Sequence, residues 1–409
     1  MARPLEDIRI LDLTWILSGP YASMVLCDLG ADVIKVERAP FGDVARTQGP
    51  YANGWSAYFF SVNRGKRSIS IDLRNEEGRA LFLDLVGHAD VVMENFTPGT
   101  MERFGLGYEA LAARNPGIIF ARISGFGQTG PYKDRPALDV IVQGMGGVMS
   151  ITGEPGGGPV RPGVSYGDIV AGLYAAIGIL TAIHERTSSG KGQQIDISML
   201  DCQVSVLENA LARYYVTGKA PEPLGTRHPT ATPFQAFPTA DGYLVIALSF
   251  GETNQWGVLC GLLGLPELID DERYNTGPKR TRNHSNLEPL LIAAFRQRST
   301  ADWLDDLLAA EIPCGPVNSV ADIAADPQVA ARGMLQEVTH HIAGPMRIAN
   351  SPVRMSRSES GIKGPPPDMG QHTVEVLGEL LGLDAATVKA MEGRKVVATK
   401  GGPDIASLL

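Results

Sequence analysis

The sequence predicts an α/β protein with a large domain and a smaller second one, and three observations carry that expectation. Short β-branched runs alternate with helix-forming stretches over the first half of the chain; the texture turns Pro-rich and then hairpin-like after about Tyr215; and a Gly/Pro-rich passage from Gly361 to Asp368 precedes a helix-forming tail. Such alternation is the pattern of a parallel sheet covered by helices.

Taken in order, strands are expected at 8–14, 32–37, 68–73, 90–93, 118–123 and 194–198, each rich in Ile and Val, with helices between several of them at 22–29, 77–87 and 108–114. The longest apolar run, 169–183, ends at His184-Glu185-Arg186. It falls short of the roughly 20 residues of a spanning helix and reads as a buried one. These elements make residues 1–215 the first part of a large domain. The passage 216–233 is a linker, 234–325 a small hairpin-and-helix domain, and 326–409 a return to the large domain with a C-terminal tail.

Composition bounds the function. With 409 residues, 44% hydrophobic and 20% charged, the chain can bury a large core and is neither disordered nor fibrous. Its net charge of −9 argues against a nucleic-acid or anionic-membrane partner. The start, Met-Ala-Arg-Pro-Leu-Glu-Asp, has no apolar signal core, and Cys27, Cys202, Cys260 and Cys314 lack metal-ligand spacing. The expectation is a cytoplasmic protein with reduced thiols and no metal.

Gly125-Phe-Gly-Gln-Thr-Gly130 matches a dinucleotide fingerprint, but that fingerprint needs a helix opening at its third glycine. Pro131 and Pro136 forbid one, so the segment reads as a Gly/Pro loop near a ligand. Between Ala31 and Asn75 stand seven basic residues (Lys35, Arg38, Arg46, Arg64, Lys66, Arg67, Arg74) against four acids (Asp32, Glu37, Asp43, Asp72). A local excess of cations near strand ends suits a phosphorylated ligand, and equally suits a solvated face.

Asp168 stands where the polar turn Val-Ser-Tyr-Gly becomes an apolar helix. Helix N–H donors and the positive helix end are expected to favour its ionised form, as befits a nucleophile; an N-cap is the other role Asp fills there.

The chain resembles the family III CoA-transferases, the group that also holds the α-methylacyl-CoA racemases. The resemblance is carried nearly end to end by Leu11-Asp-Leu-Thr, Gly19-Pro20, Leu29-Gly-Ala-Asp-Val-Ile-Lys-Val-Glu37, Asn63-Arg-Gly-Lys-Arg-Ser68, Glu94-Asn-Phe96, Asp168, Pro313-Cys-Gly-Pro316 and Gly370-Gln-His-Thr373. It implies a Rossmann-like large domain built from both chain ends, a smaller α+β domain between them, and an interlocked homodimer. It implies that Asp168 attacks an acyl-CoA thioester, passing through a mixed anhydride and an aspartyl-CoA thioester. By position, Arg38 and Arg103 would hold the nucleotide of coenzyme A, while Leu17, Ser18, Leu73, Arg74, Asn95, Phe96, Ala137 and Asp139 would line the CoA channel.

Departures from the family narrow the reaction. Racemases carry a His base where this chain has Leu138, and leucine carries no proton. Oxalate enzymes of the family have a Gln at the position of Leu17 and a glycine run where this chain reads Gly225-Thr-Arg-His-Pro229. The similarity points to succinyl-CoA:dicarboxylate transferases, with Arg227 and His228 as cations for the distal carboxylate. An acyl-CoA hydrolase or, despite Leu138, an acyl-CoA racemase of the same family, and a non-catalytic CoA-binding protein are the alternative readings.

Overall fold

The computed structural model describes residues 2–248 and 254–402. The chain folds as two compact units: Met1–Val148, Arg161–Ala212 and Gln328–Leu409 form the first, and Met149–Val160 with Arg213–Pro327 the second.

The first unit is built on a seven-stranded sheet. Arg9–Asp12 pairs in parallel with Asp32–Arg38 on one side and Val91–Glu94 on the other; Arg67–Ile71 extends the first side, and Ile119–Ser124 then Gln194–Ser198 extend the second. Numbering these six along the chain, their spatial order is 3-2-1-4-5-6, that of the doubly wound nucleotide-binding folds. The first five strands coincide with the β-branched runs because parallel strands buried on both faces need apolar residues on both, whereas Gln194–Ser198, at the sheet edge, alternates polar exposed residues with Ile195 and Ile197. A seventh, Val397–Ala398, adds antiparallel to Arg67–Ile71 and leaves no signal in the sequence, being two residues long.

Helices cover both faces. One core packs Phe82, Leu85, Leu111, Val376 and Val388 against Ile34, Ile69 and Val92; the other packs Leu26, Ala171, Ala175 and Ile179 against Ile10, Val33 and Ile119. The helix Tyr166–Ser189 is long and apolar enough to cross a membrane, yet one face of it lies on this second core and on the helix Ser18–Asp28. Their approach is so close that a Cβ on Gly172 would sit 2.7 Å from the carbonyl oxygen of Ser18, so only glycine fits.

The second unit has its own core around Phe237, Leu244, Ile246, Trp256, Phe295 and Trp303, under a three-stranded antiparallel sheet of Phe234–Pro238, Tyr243–Ala247 and Cys314–Pro316. The sequence places 149–160 inside the large domain. The structure groups it with the small one instead, tied by Gly225 N–H donating to the Gly153 carbonyl at 2.8 Å.

Candidate active site

Doubly wound sheets bind ligands where the strand order reverses, beyond the carboxyl ends of the strands. Here the reversal falls between Arg9–Asp12 and Val91–Glu94. Two adjoining cavities open there. One, of about 220 Å³, is lined by Leu17, Ser18, Asn95, Ala137, Asp139 and Asp168; the other, of about 520 Å³, by Arg38, Phe41, Leu73, Arg74 and Phe104. Trp15 and Phe96, edge to face at 6.0 Å, line both.

The loop between Asp12 and the helix Ser18–Asp28 is held in an unusual shape. Ile16 adopts φ +65°, a left-handed conformation that β-branched residues rarely enter. Its N–H donates to Asp43 Oδ1 at 3.2 Å, and Asp43 is locked by Lys35 Nζ at 2.8 Å, both side chains being fully buried. Asn95 brackets the same loop: Oδ1 accepts from Trp15 N–H at 2.9 Å, and Nδ2 donates to the Trp15 carbonyl at 2.9 Å and to Ser18 Oγ at 3.2 Å. The Ser18 hydroxyl in turn hydrogen-bonds to Asp168.

Asp168 is not an N-cap. Ser165 holds that position without a side-chain cap, and Asp168 lies in the first turn of the helix, half-buried. The expectation that the helix end would favour its ionised form is overturned. Burial first, and the Asp139 carboxylate second, raise its pKa to about 7, against the opposing pull of the Ser18 hydroxyl and Arg161. Tyr58 also faces this charge; burial and then Asp168 push its phenol up to about 12, so it stands as a donor.

Asp139, expected only to line the channel, is bound on both oxygens. Oδ1 accepts from Gly167 N–H and Gln143 Nε2, each at 2.8 Å, and Oδ2 accepts from Arg161 Nε and Nη2 at 3.1 and 2.7 Å. The helix carrying Asp168 is thereby pressed on the helix Asp139–Met145; a Cβ on Gly167 would meet Val142 at 2.8 Å.

At the wider cavity, Arg38 stacks over Phe41 at 4.9 Å, Arg74 forks onto Asp72 with two contacts of 2.9 Å, and Arg103, just outside the lining, donates to Thr100 Oγ1 at 2.7 Å. The rest of the basic cluster points inward. Arg46 pairs with Glu37, Arg64 with Asp28 and Lys66 with Asp12, all buried, while Arg67 serves Asp32, Glu375 and Glu379. Sequence reasoning missed Arg161, Tyr58 and Arg135. Arg135 lines the smaller cavity, stacked on Tyr132 at 3.7 Å. Its flanking Pro131 and Pro136 signal only a helix break, and its placement depends on the tertiary turn.

Arg227 and His228 lie in the second unit, in the turn before Phe234–Pro238; His228 N–H donates to the Phe234 carbonyl at 3.0 Å. His340, His341 and Asp368 could suggest a metal site. However, the N–H groups of Ile342 and Ala343 donate to His340 Nδ1 at 3.1 and 3.2 Å, so the neutral ring carries its proton on Nε2 and offers no lone pair there.

The model of CoA-transferase family III matches residues 5–373. The chain belongs to this family. Among family III CoA-transferases it is 42% identical to a succinyl-CoA:glutarate CoA-transferase of Mus musculus, an alignment covering 95% of this chain and 89% of that one. It is 43% identical to an acetyl-CoA:oxalate CoA-transferase of Acetobacter aceti, covering 86% and 89%. A crystal structure of a CAIB/BAIF family protein from Brucella suis superposes with a TM-score of 0.84 at 42% identity, over 93% of this chain and all of that one. CoA-transferases use CoA thioesters as substrates.

Proposed function

We propose that this family III CoA-transferase moves CoA from succinyl-CoA to a C4–C5 dicarboxylic acid, with Asp168 as the nucleophile. The carrying observation is the half-buried Asp168 carboxylate, in a cavity that shares Trp15 and Phe96 with a larger, arginine-bearing one. One end suits acyl transfer and the other the phosphates of CoA.

An Asp168 oxygen attacks the thioester carbonyl, the C–S bond breaks, and CoA leaves as thiolate with a mixed anhydride behind it. The thiolate attacks the aspartyl carbonyl, releasing the donor's acid and leaving an aspartyl-CoA thioester. The acceptor carboxylate attacks that thioester, and the freed thiolate then takes the acceptor's acyl group, restoring Asp168. Attacking and leaving groups are anions throughout, so no external base is consumed. The amides of Ser18 and Gly19, at the start of the helix Ser18–Asp28, are suited to receive the developing oxyanion. Arg38, Arg74 and Arg103 hold the nucleotide, and Leu17, Leu73, Asn95, Phe96 and Ala137 shape the channel; the family resemblance offers Arg227 and His228 as the cations for the distal carboxylate. Of the relatives described above, the succinyl-CoA:glutarate transferase is named for a C5 diacid and supports this range, whereas the one named for the C2 diacid oxalate supports only a dicarboxylate.

The protein is proposed to be cytoplasmic and to work as an interlocked homodimer. Leu138, Ile141, Met145, Leu173, Ile177 and Val204 leave an apolar face exposed on adjoining helices, which a second copy would cover. Light scattering at micromolar concentration should give twice the chain mass; a monomer would remove the interlocked assembly.

The enzyme is tested by incubation with succinyl-CoA and a panel of acids, followed by mass spectrometry of the CoA esters. Glutaryl-, malyl- or methyl-branched diacid esters should dominate. Succinate released at the same rate without any acceptor would instead mark a hydrolase.

A further inference from the structure

We infer that Arg161, acting through Asp139, is the positioning residue that sets the orientation and basicity of the nucleophile. The inference rests on Asp168 being that nucleophile, and the geometry around Asp139 carries it. Asp139 is nearly enclosed, with both oxygens bound by Gly167 N–H, Gln143 Nε2 and the Arg161 fork. It cannot turn away from Asp168 without breaking these bonds. Arg161 also donates to Ser165 Oγ at 3.1 Å, so one guanidinium ties the N-cap residue of the nucleophile helix to the carboxylate that anchors its first turn.

Charge follows from the same contacts. Asp168 is faced by Asp139 from the helix Asp139–Met145, by Arg161 from the segment before its own helix, by the Tyr58 phenol from the helix Ala57–Asn63, and by the Ser18 hydroxyl from the helix Ser18–Asp28. Asp139 disfavours a carboxylate at Asp168, and a less stable carboxylate is a stronger nucleophile. Arg161 limits that repulsion so that the group still ionises near neutrality. Acylation turns Asp168 into a neutral anhydride or thioester and removes the repulsion, so the Asp139 charge favours the covalent forms over the resting anion.

Neutralising the two partners should therefore move the enzyme in opposite directions. In R161Q, the acid limb of the pH profile of kcat/KM should rise by about one pH unit or more, since an opposite charge at this range is worth about one to three units and Arg161 is partly exposed. In D139N the limb should fall by a similar amount, kcat should drop about tenfold or more, and the fraction of aspartyl thioester trapped by hydroxylamine should shrink. R161K should restore most of the wild-type profile, and KM for acyl-CoA should stay within about threefold in both Arg161 variants, because Arg161 is not assigned to coenzyme A. Melting curves on all three variants identify any that misfold, and R161K remains informative if R161Q does. Limbs that both move the same way, or neither of which moves, would overturn the inference. If wild type forms no trappable adduct on Asp168, the proposed mechanism falls first; trapping with unshifted limbs rejects the Arg161 role alone.

Discussion

At the end of the cleft proposed for the nucleotide, Arg38 and Arg74 stand in water, whereas at the end proposed for the nucleophile the carboxylates of Asp139 and Asp168 are largely withdrawn from it. Arg74 keeps 54% of its side chain exposed while it forks onto Asp72, and Arg38 rests on Phe41. Asp168, by contrast, is half-buried beside the nearly enclosed carboxylate of Asp139. Solvated arginines can exchange a neighbouring carboxylate or an aromatic face for a phosphate at little cost. A desolvated carboxylate is held in a less stable state that reaction relieves. On the proposed assignment, binding and chemistry use opposite electrostatic regimes a few side chains apart.

The largest test of this contrast removes the proposed nucleophile. Asp168→Asn and Asp168→Ala should lower transfer by about a thousandfold or more while calorimetry still detects CoA. Stability should move the other way. Because the folded pKa of Asp168 is raised to about 7 above the ordinary carboxylate value, folding favours its protonated form; the associated stability is present below pH about 4 and lost as pH rises to about 7. Above that pH the native state bears the whole penalty, on the order of 4 kcal/mol. Asp168→Asn should therefore melt higher than wild type at pH 8 and much closer to it at pH 4. Wild-type transfer should fall about tenfold per unit below pH 7, since only the carboxylate attacks. An unchanged melting temperature at pH 8 would mean that the nucleophile end is as solvated as the other.

A smaller effect is expected at the nucleotide end. Arg38→Ala and Arg103→Ala should each raise KM for acyl-CoA by about tenfold with kcat nearly kept, and should penalise dephospho-CoA esters less. Equal penalties for the two cofactor forms would make these arginines surface charges only. The smallest effect is assigned to Arg227→Ala, which should erode the preference for glutarate over butyrate by several-fold without abolishing transfer to either.

How much of this is legible in the sequence depends on whether a feature is local. The six parallel strands announce themselves through Ile and Val runs, and Asp168 through its junction of turn and helix. The basic cluster is visible as a charge excess, but a count cannot report burial. Lys35, Arg46, Arg64 and Lys66 turn inward to acids, while Arg38 and Arg74 face the cavity. The ionisation of Asp168 runs against the sequence expectation because the helix end is a local feature, whereas its burial and the Asp139 charge arise only from tertiary packing. The joining of 149–160 to the second unit, and the last strand of the sheet, likewise rest on partners distant in sequence.

That last strand bears on how the protein is made. Val397–Ala398 closes the edge of Arg67–Ile71, with Asp72 N–H donating to the Val396 carbonyl at 2.9 Å, yet it leaves the ribosome more than 300 residues later. At ordinary synthesis rates this is a delay of roughly 15–60 s, during which the edge has unpaired N–H and C=O groups and the whole second unit is still being produced. Nascent chains on a crowded polysome are most prone to pair with one another over that interval, and a chaperone that shields an open strand would be most useful to this enzyme then.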